Sequence, residues 1–599
     1  MRFKIILILL IFYASLLSED SEEKLFSFED ETYHSTELSD LLQSYKKKPI
    51  NINTAAENEL ALIPWLSEKD IQKIISYRVS NKITNLKDLS KIGIDEITVN
   101  ELSDYITFGA SIKLKLKQAS RVEFHQPKQY LPSTLKYFQK TILTLNNYKF
   151  GFISQKDEGE KDPLDFYSYF MDYSSEHYLK KLLIGKYRLA LGQGILFAPK
   201  LGMSKSGAAT SVPVKKFNLI KPYTSSYEIW ELEGAVANID LSAFNIIPFF
   251  SRTSISANLD TLSHITSFNE SGLHLDDTKK NNVREMIYGL ATKYSLTDHS
   301  FGLNLAKIYF DHQFSNPARE NEYTAISADF IINKSSFPTF GEIAYSQQRI
   351  AGVIGSKFGE NELRHLLLFR YYEKDFPTWH GNPFSSQSRF DNEVGLYYGM
   401  TIIPFEKTKI NCYFDLWSFP QTRYFEKMPS VGSEQFIQIE RKFDTNSLRI
   451  SVQHKDKEKY ISLDESKIRD FERTTFRADW WQNLDNFRFK TRCDIVTEFL
   501  ANDDIHRSGI LVYEEIKWKI EKLTLIGQIS VYHSDVLHYM YEHNVDGIMQ
   551  NSILKGDGAY SYFVFKYNIF KDIELQFKVS DHWNTKDKMR LYLQVISSF

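Results

Sequence analysis

Hydrophobic and polar positions alternate with a period of two over most of the chain. Across residues 487–499, odd positions carry apolar or small side chains, and most even positions carry Arg, Lys, Asp or Glu. The same alternation recurs over residues 523–531 and 573–580. A run of about ten residues with one apolar and one charged face is typical of a strand that crosses a bilayer, because lipid contacts one face and water the other.

Tight turns and long polar stretches follow one another between these strands. Tight turns are predicted at residues 483–486, 520–522 and 570–572, and long outer loops at 500–508 and 534–557. Short turns at one end and long loops at the other are typical of transmembrane barrels. The pattern predicts a mainly β fold, a large transmembrane antiparallel β-barrel over residues 119–599 with about 24 strands, in a range of about 20 to 26. A small all-α domain precedes it.

Residues 49–108 have a helical period instead. Thr54-Ala55-Ala56-Glu57 matches a capping box, and Ser67 to Asp70 matches a second helix start. Asn85 opens a third segment, which Gly93 ends, and a fourth apolar segment follows. The sequence therefore predicts four short helices arranged as two helix pairs with tight hairpins.

The two ends of the chain carry targeting patterns. A short positive segment followed by an apolar run predicts a signal peptide over residues 1–18, because the run is too short for a membrane-spanning helix. Residues 19–48 are expected to be a linker with a short helix over 35–45. The last amphipathic strand ends in Phe599, which resembles the signal that the barrel-assembly machinery recognises.

Composition agrees with a barrel that has two unlike faces. The chain has 44 Phe and 35 Tyr and is 15 % aromatic, yet its mean hydropathy is −0.35. Aromatic girdles and a lipid-facing band account for the aromatics, and a wet interior accounts for the polar average. Outer-membrane lipid is the expected partner of the exterior. The formal net charge of −3 gives no general argument for nucleic acid.

Candidate catalytic and metal-binding residues are few. The two cysteines, Cys412 and Cys493, exclude a disulfide framework and a Cys-based zinc site. A histidine series and an Asp/His group lie in predicted outer loops: His533, His538 and His543, and Asp503, Asp504 and His506. A spacing of five does not suit metal ligands on one helix face, and no nucleophile or phosphate-binding loop is evident. We expect no enzyme activity, no cofactor and no metal.

The helical region resembles a known DNA-binding family. The run from Ile50 to Ala56, with Ile63-Pro64, Tyr77-Arg78, Gly93 and Tyr105-Ile106, resembles the helix-hairpin-helix domain of the competence-type ComEA family. The resemblance covers about 60 residues and implies a periplasmic helix-hairpin-helix domain over residues 49–108. In that family hairpin glycines let backbone amides approach a phosphate.

The hairpins of this chain depart from that family. The first hairpin has lost both glycines, and the second keeps only the first, Gly93, with an acid at position 95. Residues 50–108 carry six bases and nine acids, which disfavours nucleic acid because phosphate binding needs a basic face. A contact with a periplasmic protein partner is therefore preferred. The hairpin contact candidates are Pro64, Trp65, Leu66, Ser67, Lys69, Lys73, Gly93, Ile94 and Asp95.

The whole layout resembles a Bacteroidota-type outer-membrane barrel family with an N-terminal helix-hairpin-helix domain. The run Ile184 to Leu196 resembles its strongly marked strand that ends in Gly-Gln-Gly, and residues 231–250 resemble the following hairpin. The long segment 197–225 is predicted to be a lumen or plug loop, with a disordered outer loop as the alternative.

Three functions stay open from the sequence. The first is a pore or transport component, because about two dozen strands enclose a lumen wide enough for water or a plug. The second is DNA uptake through the helical domain, and the third is a membrane-anchored scaffold for a periplasmic partner, which would contact an exposed Trp65. The lumen candidates are Lys200, Lys205, Lys215, Lys216, Arg488, Lys490, Arg492, Lys517, Lys519 and Lys578.

Overall fold

The structure is a computed structural model of the 599-residue chain. It describes residues 45–46, 49–108, 114–125, 134–162, 164–175, 177–199, 205, 207–211, 219–225, 231–269, 272–273, 277–333, 337–360, 362–377, 379–387, 389–422, 429–462, 466–500, 505–583 and 589–599. The predicted signal peptide and nearly all of the predicted linker lie outside these residues. So do Lys200, Lys215 and Lys216 of the lumen candidates, and Asp503 and Asp504.

Four short helices form a compact N-terminal domain. They are α1 (Glu57–Leu60), α2 (Glu68–Ser80), α3 (Leu86–Lys91) and α4 (Glu96–Leu102). Two-residue strands at Ile50–Asn51 and Ile106–Thr107 pair in parallel and bring the two ends of the domain together. Fully buried Leu, Ile and Tyr side chains fill its centre, so the helical period marks a true core.

The ends of the helices show which capping predictions hold. The predicted start at Ser67 is confirmed, because its hydroxyl accepts from the amide of Asp70. The predicted capping box at Thr54 is wrong. The first helix begins at Glu57, and the Glu59 carboxylate accepts from the amide of Ala56, because residues 51–55 already form a turn.

Twenty-four antiparallel strands form a closed barrel. They are β1 (Leu114–His125), β2 (Leu135–Leu145), β3 (Tyr148–Lys156), β4 (Phe166–Ser174), β5 (Leu179–Ala190), β6 (Leu232–Leu241), β7 (Phe244–Ile255), β8 (Val283–Ser295), β9 (His299–Phe310), β10 (Glu322–Ile332), β11 (Thr339–Ser346), β12 (Arg349–Glu360), β13 (Leu363–Tyr372), β14 (Glu393–Phe405), β15 (Thr408–Phe419), β16 (Ser430–Lys442), β17 (Asn446–Ser462), β18 (Ser466–Leu484), β19 (Phe487–Leu500), β20 (Ile505–Ile520), β21 (Leu523–Glu542), β22 (Gln550–Phe570), β23 (Ile573–His582) and β24 (Arg590–Ser598). Each pairs with its neighbour in sequence, and β24 pairs with β1 to close the wall. The predicted fold class and strand number are confirmed.

The period of two separates an apolar outside from a polar inside. On β19, Arg488, Lys490 and Arg492 are buried inside the barrel, whereas Phe487 and Ile495 are exposed on its outer face. The same division holds on the other described strands, where exposed Leu, Ile, Val, Phe and Tyr point outwards. Among the described residues, no helix is long and apolar enough to cross a membrane.

Three boundaries differ from the sequence prediction. The first strand begins at Leu114 rather than near residue 119, and β20 begins at Ile505 inside the predicted loop 500–508. The prediction of an outer loop over residues 534–557 is wrong for most of these residues. β21 continues to Glu542 and β22 starts at Gln550, so this stretch is a hairpin, because its own backbone pairing continues past an irregularity near Ser534.

Further small elements complete the wall and its loops. A short strand, Leu219–Pro222, pairs with the end of β5, and Ala257–Leu259 pairs with Ile265–Phe268 outside the barrel sheet. A single turn of 3-10 helix spans Asp277–Lys279. The two cysteines lie half-buried on separate strands and are not bonded.

Candidate functional site

The helical domain lies against the inside of the barrel at its short-turn end. Four inward-facing cations lie there along one part of the wall, on β8, β12, β13 and β15, and we call them the basic collar: Lys293, Lys357, Arg364 and Lys409. Each is within a few residues of the tight turn that begins or ends its strand. Acidic side chains of the helical domain face this collar, so opposite charges attract each other across the contact.

The best-defined contact joins Asp95 to Arg364. Oδ2 of Asp95 lies 3.7 Å from Nη2 of Arg364, and Lys409 adds a second attraction to the same carboxylate. Asp95 also caps α4, since its side chain accepts from the amide of Thr98 at 3.0 Å. Burial alone would raise the pKa of Asp95, but the two cations and the bonds from Thr98 outweigh it and hold the pKa below its usual range.

Other acids of the domain meet the rest of the collar. Lys293 attracts Glu57, and Lys357 attracts Glu68 and Asp70. The excess of acids that disfavoured DNA binding in the sequence is therefore balanced by cations of the wall.

A hairpin from the long-loop end reaches the helical domain. We call residues 536–554 the inner hairpin, with its tip at 543–549. Tyr541 and Met549 are buried in the same apolar cluster as the core of the helical domain. The amide of Asp546 donates to Gln576 at 2.8 Å, and Gln594 donates to the Asp546 carbonyl at 2.9 Å. Since Gln576 and Gln594 are buried inward-facing wall residues, the tip lies in the lumen.

Salt bridges fix the inner hairpin to the wall. Lys578 lies 2.9 Å from the carboxylate of Glu542, and Lys566 lies 2.6 Å from that of Asp546. Arg473 donates to the carbonyl of Leu537 at 2.7 Å. Because these are charge-assisted bonds in a region with little solvent, they hold the hairpin more firmly than surface pairs would.

The Gly-Gln-Gly turn that follows β5 also lies inside. The carboxylate of Glu342 on β11 accepts from the amides of Gln193 and Ile195, at 2.6 and 3.1 Å. Gly192 and Gly194 both have positive φ, and a Cβ on Gly192 would lie 2.8 Å from the Glu342 carboxylate. The glycines are thus required for the turn to approach this carboxylate.

A second loop covers the turn from the opposite side. The amide of Asn382 donates to the carbonyl of Gly194, and the amide of Ala198 donates to that of His380, at 2.9 and 2.8 Å. His380 lies 2.9 Å from the carboxylate of Glu285 on β8. The loop that follows β13 is therefore tied both to the turn and to the wall.

The predicted lumen loop 197–225 enters the barrel where it is described. Nζ of Lys205 lies 2.6 Å from Asp415 and 2.9 Å from Glu434, and all three side chains are buried. Arg370 pairs with the same Asp415 at 2.7 Å. Lys205 thus lies inside the barrel.

Four of the six remaining lumen candidates are paired with acids at inward positions. Lys490 and Arg492 both contact Asp479, Arg488 lies 3.7 Å from Glu515, and Lys578 pairs with Glu542. Lys517 faces inwards and is half-buried, and Lys519 is exposed beside the turn after β20. The alternation of inward and outward positions along the sequence identified these residues. It could not show that acids from neighbouring strands and from the inner hairpin neutralise them.

The hairpin candidates have mainly local roles in the described structure. Trp65 is half-buried, with its ring 5.1 Å from that of Tyr105, rather than exposed. Nζ of Lys73 donates to the carbonyl of Gly93 at 2.6 Å, and Lys69 is exposed. Pro64 and Ser67 are partly buried, Leu66 and Ile94 are core residues, and Asp95 faces the collar.

The histidines of the inner hairpin region do not form a metal site. His533 is exposed and pairs with Asp557, whereas His538 and His543 are buried. Within the described ranges, no group of three or more His, Cys, Asp or Glu side chains could hold a metal ion.

The fold and its interior define a class: a wide antiparallel barrel with an apolar exterior and a lumen occupied by its own chain. Five described parts occupy it: the helical domain, the Gly-Gln-Gly turn, the described part of loop 197–225, the loop after β13 and the inner hairpin. Sequence reasoning missed Glu342, Glu285 and the collar. Only the glycines of the turn and the acidic balance of the helical domain gave indirect signals.

No family model and no curated protein matches the chain. Solved structures that resemble it include the siderophore receptor PirA from Pseudomonas aeruginosa, at 6 % identity over 82 % of each chain with a TM-score of 0.42. The copper transporter OprC matches at 8 % identity over 81 % of this chain and 83 % of that one, with a TM-score of 0.40. OmpT of Vibrio cholerae, lacking loop L8, matches at 8 % identity over 53 % and 99 %, with a TM-score of 0.28. These low values do not identify a family.

Proposed function

We propose that the protein is an outer-membrane transport component whose passage is closed at rest by its own helical domain. The outer-membrane location follows from the closed barrel with exposed apolar side chains on its outer face, a surface that suits lipid and not water. On this proposal the short-turn end and the helical domain face the periplasm, because short turns lie on that side in such barrels.

The docking of the acidic helical domain on the basic collar carries the proposal. An open diffusion pore needs a continuous wet lumen, but here wall side chains such as Arg370, Arg492 and Gln576 are fully buried beneath inserted segments. Transport therefore requires the inserted segments to move, the helical domain among them. Charge pairs at 3.7 Å that remain partly solvated are weak enough to break and reform.

The lumen charges do not define the solute by themselves. The predicted positive field of Arg488, Lys490 and Arg492 is largely cancelled by Asp479 and Glu515. We therefore propose no preference between anions and cations in the closed state.

Conductance with a reversible restraint on the helical domain tests the proposal. In a background with Cys412 and Cys493 replaced by Ser, cysteines replace Asp95 and Arg364, and a short cleavable bis-maleimide joins them. The linked barrel should pass no steady current in a planar bilayer. Cleavage should produce discrete openings, because the Asp95–Arg364 attraction is gone.

The matched control carries the same linker between two positions of the wall, Lys307 and Glu322, which pair on the exterior. Cleavage there should change nothing. A wild-type barrel that conducts steadily would refute closure by the helical domain. A cleaved variant that stays silent while its helical domain becomes accessible to protease would refute the transport role.

The DNA-binding and scaffold roles remain predictions of the sequence. The N-termini of α2 and α4 are capped by the chain's own Ser67 and Asp95, which leaves fewer amides for a phosphate. A mobility shift with the full chain in detergent at low salt would support DNA binding, and photo-cross-linking from position 65 would capture a periplasmic partner.

A further inference from the structure

Two carboxylates and an indole ring of the barrel wall enclose one ammonium group. We call Asp415 and Trp417 on β15 and Glu434 on β16 the ammonium cage. Nζ of Lys205 lies 2.6 Å from the carboxylate of Asp415 and 2.9 Å from that of Glu434. It also lies over the ring of Trp417, 4.4 Å from the ring centre. The cage belongs to the wall, whereas its cation comes from the segment 197–225 that enters the lumen.

Without an inserted cation, the wall around the cage is short of one positive charge. Arg370 pairs with both Asp415 and Glu393, and Lys455 lies 3.7 Å from Glu434. Two wall cations thus face three carboxylates, and all three carboxylates are buried. A buried carboxylate that lacks a counter-ion is strongly destabilising. The cage therefore requires a cation that the wall itself does not supply.

The geometry of the cage suits an ammonium group better than a guanidinium. The fork of Arg370 already donates to both oxygens of Asp415, at 2.7 and 3.2 Å. The incoming cation meets single oxygens of two separate carboxylates, which match a compact ammonium rather than a planar fork. The ring of Trp417 covers Gly432, where a Cβ would lie 2.6 Å from ring carbons, and it receives the cation on its face.

The segment that carries Lys205 rests on the wall through few side-chain contacts. Residues 207–211 form a turn and not a strand of the sheet. The hydroxyl of Tyr397 donates to the carbonyl of Ala209 at 2.7 Å, and Gly399 leaves the room for this carbonyl, since a Cβ there would lie 2.2 Å from its oxygen. Glycine, alanine and other small side chains bury little apolar surface, so this segment costs less to displace than a paired strand would.

The cage lies on the route between the two ends of the lumen. Asp415 is six residues beyond Lys409 of the basic collar on the same strand, about 20 Å farther towards the long-loop end. A solute that moves from the long-loop end towards the helical domain would therefore reach the cage before the collar.

We propose that the ammonium cage is a binding site for a solute with a primary alkylammonium group, and that Lys205 occupies it while the barrel is closed. This inference rests on the proposed transport function and gives it a substrate class. A free alkylamine and the lysine side chain of a peptide both carry this group. Either one must displace Lys205 to enter the cage, so the segment also holds the site closed to weak ligands.

Displacement of Lys205 in the full chain tests the assignment. Ala209 is 1 % exposed, so Ala209→Cys should react slowly with a maleimide in a background with Cys412 and Cys493 replaced by Ser. n-Butylammonium at ~50 mM should raise that rate several-fold, because a tethered occupant competes at an effective concentration in the millimolar range. n-Butyltrimethylammonium has the same charge and stem but no N–H donor, and it should leave the rate unchanged. No acceleration by n-butylammonium, or equal acceleration by both salts, would overturn the assignment.

An empty cage provides the complementary variant. Lys205→Ala should lower the melting temperature, and n-butylammonium should restore it at a concentration about tenfold lower than displacement needs, because no tethered cation competes. The matched control combines Lys205→Ala with Glu434→Gln, which leaves two cations and two carboxylates. This double variant should melt above the single one and gain nothing from the amine. Equal rescue of both variants would contradict a site defined by the missing charge.

Two further ligands separate the sources of the ammonium group. One is a linear alkyldiamine, and the other is a capped peptide with the sequence of residues 205–211, a lysine followed by small residues. The ligand that accelerates labelling of Ala209→Cys at the lower concentration identifies the solute as a small amine or a peptide. Binding by a barrel that never conducts would remove the transport role and leave the site, whereas conduction without binding would remove the site alone.

Discussion

Replacing Arg364 by Gln should loosen the helical domain from the barrel wall. The pair that it forms with Asp95 spans 3.7 Å, and the two side chains are 27 % and 22 % exposed. Coulomb's law at this distance gives about 1 kcal/mol in bulk water and about 4 kcal/mol at the effective dielectric of a protein surface. After desolvation, we expect a net loss of about 1.5 kcal/mol, or about tenfold more of the undocked state.

Hydrogen exchange of the amides in α2 and α4 measures this loss directly and does not depend on conductance. Asp95→Asn is the partner variant, because an Asn side chain still caps α4 while the charge is removed. Each single variant should raise exchange, and Asp95→Asn should raise it more because it also loses the attraction of Lys409. The double variant should be little worse than Asp95→Asn alone, since the pair with Arg364 is already lost.

Because the contact between Asp95 and Arg364 is ionic, docking of the helical domain should depend on salt and pH. About 1 M salt shortens the screening length to about 3 Å and should mimic the variants. The pKa of Asp95 is below its usual range in the folded state, so the docked state keeps this stabilisation above the ordinary Asp pKa of about 3.9 and loses it as pH falls through the lower value. The protection factors, which correct for the intrinsic pH dependence of amide exchange, should therefore be constant from about pH 8 to 5 and fall only below about pH 4.

Lys307→Gln is the control, because Lys307 pairs with Glu322 on the exposed exterior. It should leave exchange of the helical domain unchanged. Strictly additive effects of Arg364→Gln and Asp95→Asn, or exchange that ignores salt, would refute electrostatic docking.

Three further outcomes follow from individual contacts. Glu342→Ala should destabilise the Gly-Gln-Gly turn by about 1–3 kcal/mol, because two buried amides lose their acceptor, and exchange of that turn alone should rise. Lys205→Met should lower the melting temperature of the barrel, since it leaves the buried carboxylate of Asp415 with one cation fewer; an unchanged melting temperature would contradict the buried pairing. The backbone and hydroxyl of Thr84 lower the pKa of Asp88 to about 2, so NMR titration should find this carboxylate ionised down to about pH 3, and an ordinary midpoint would contradict these bonds.

The sequence by itself determined the wall of the barrel. Side chains that alternate with a period of two lie on only two faces. An apolar row such as Phe487, Phe489 and Ile495 and a charged row such as Arg488, Lys490 and Arg492 therefore define both the strand and its orientation. Short turns such as residues 485–486 then fix the connection between neighbours, and strand number follows by counting. The helical segments were readable for the same reason, since caps such as Ser67 are local.

Tertiary structure alone decided what fills the barrel. Arg364 and Asp95 are far apart in sequence, and nothing local to either one indicates that a wall cation near a turn meets an acid at a helix start. The same holds for Glu342, which serves a turn about 150 residues away, and for the inner hairpin, whose polar composition resembled a solvated loop. Residues meet across the lumen only because the sheet closes into a barrel. No periodic pattern along the chain encodes which residues that closure brings together.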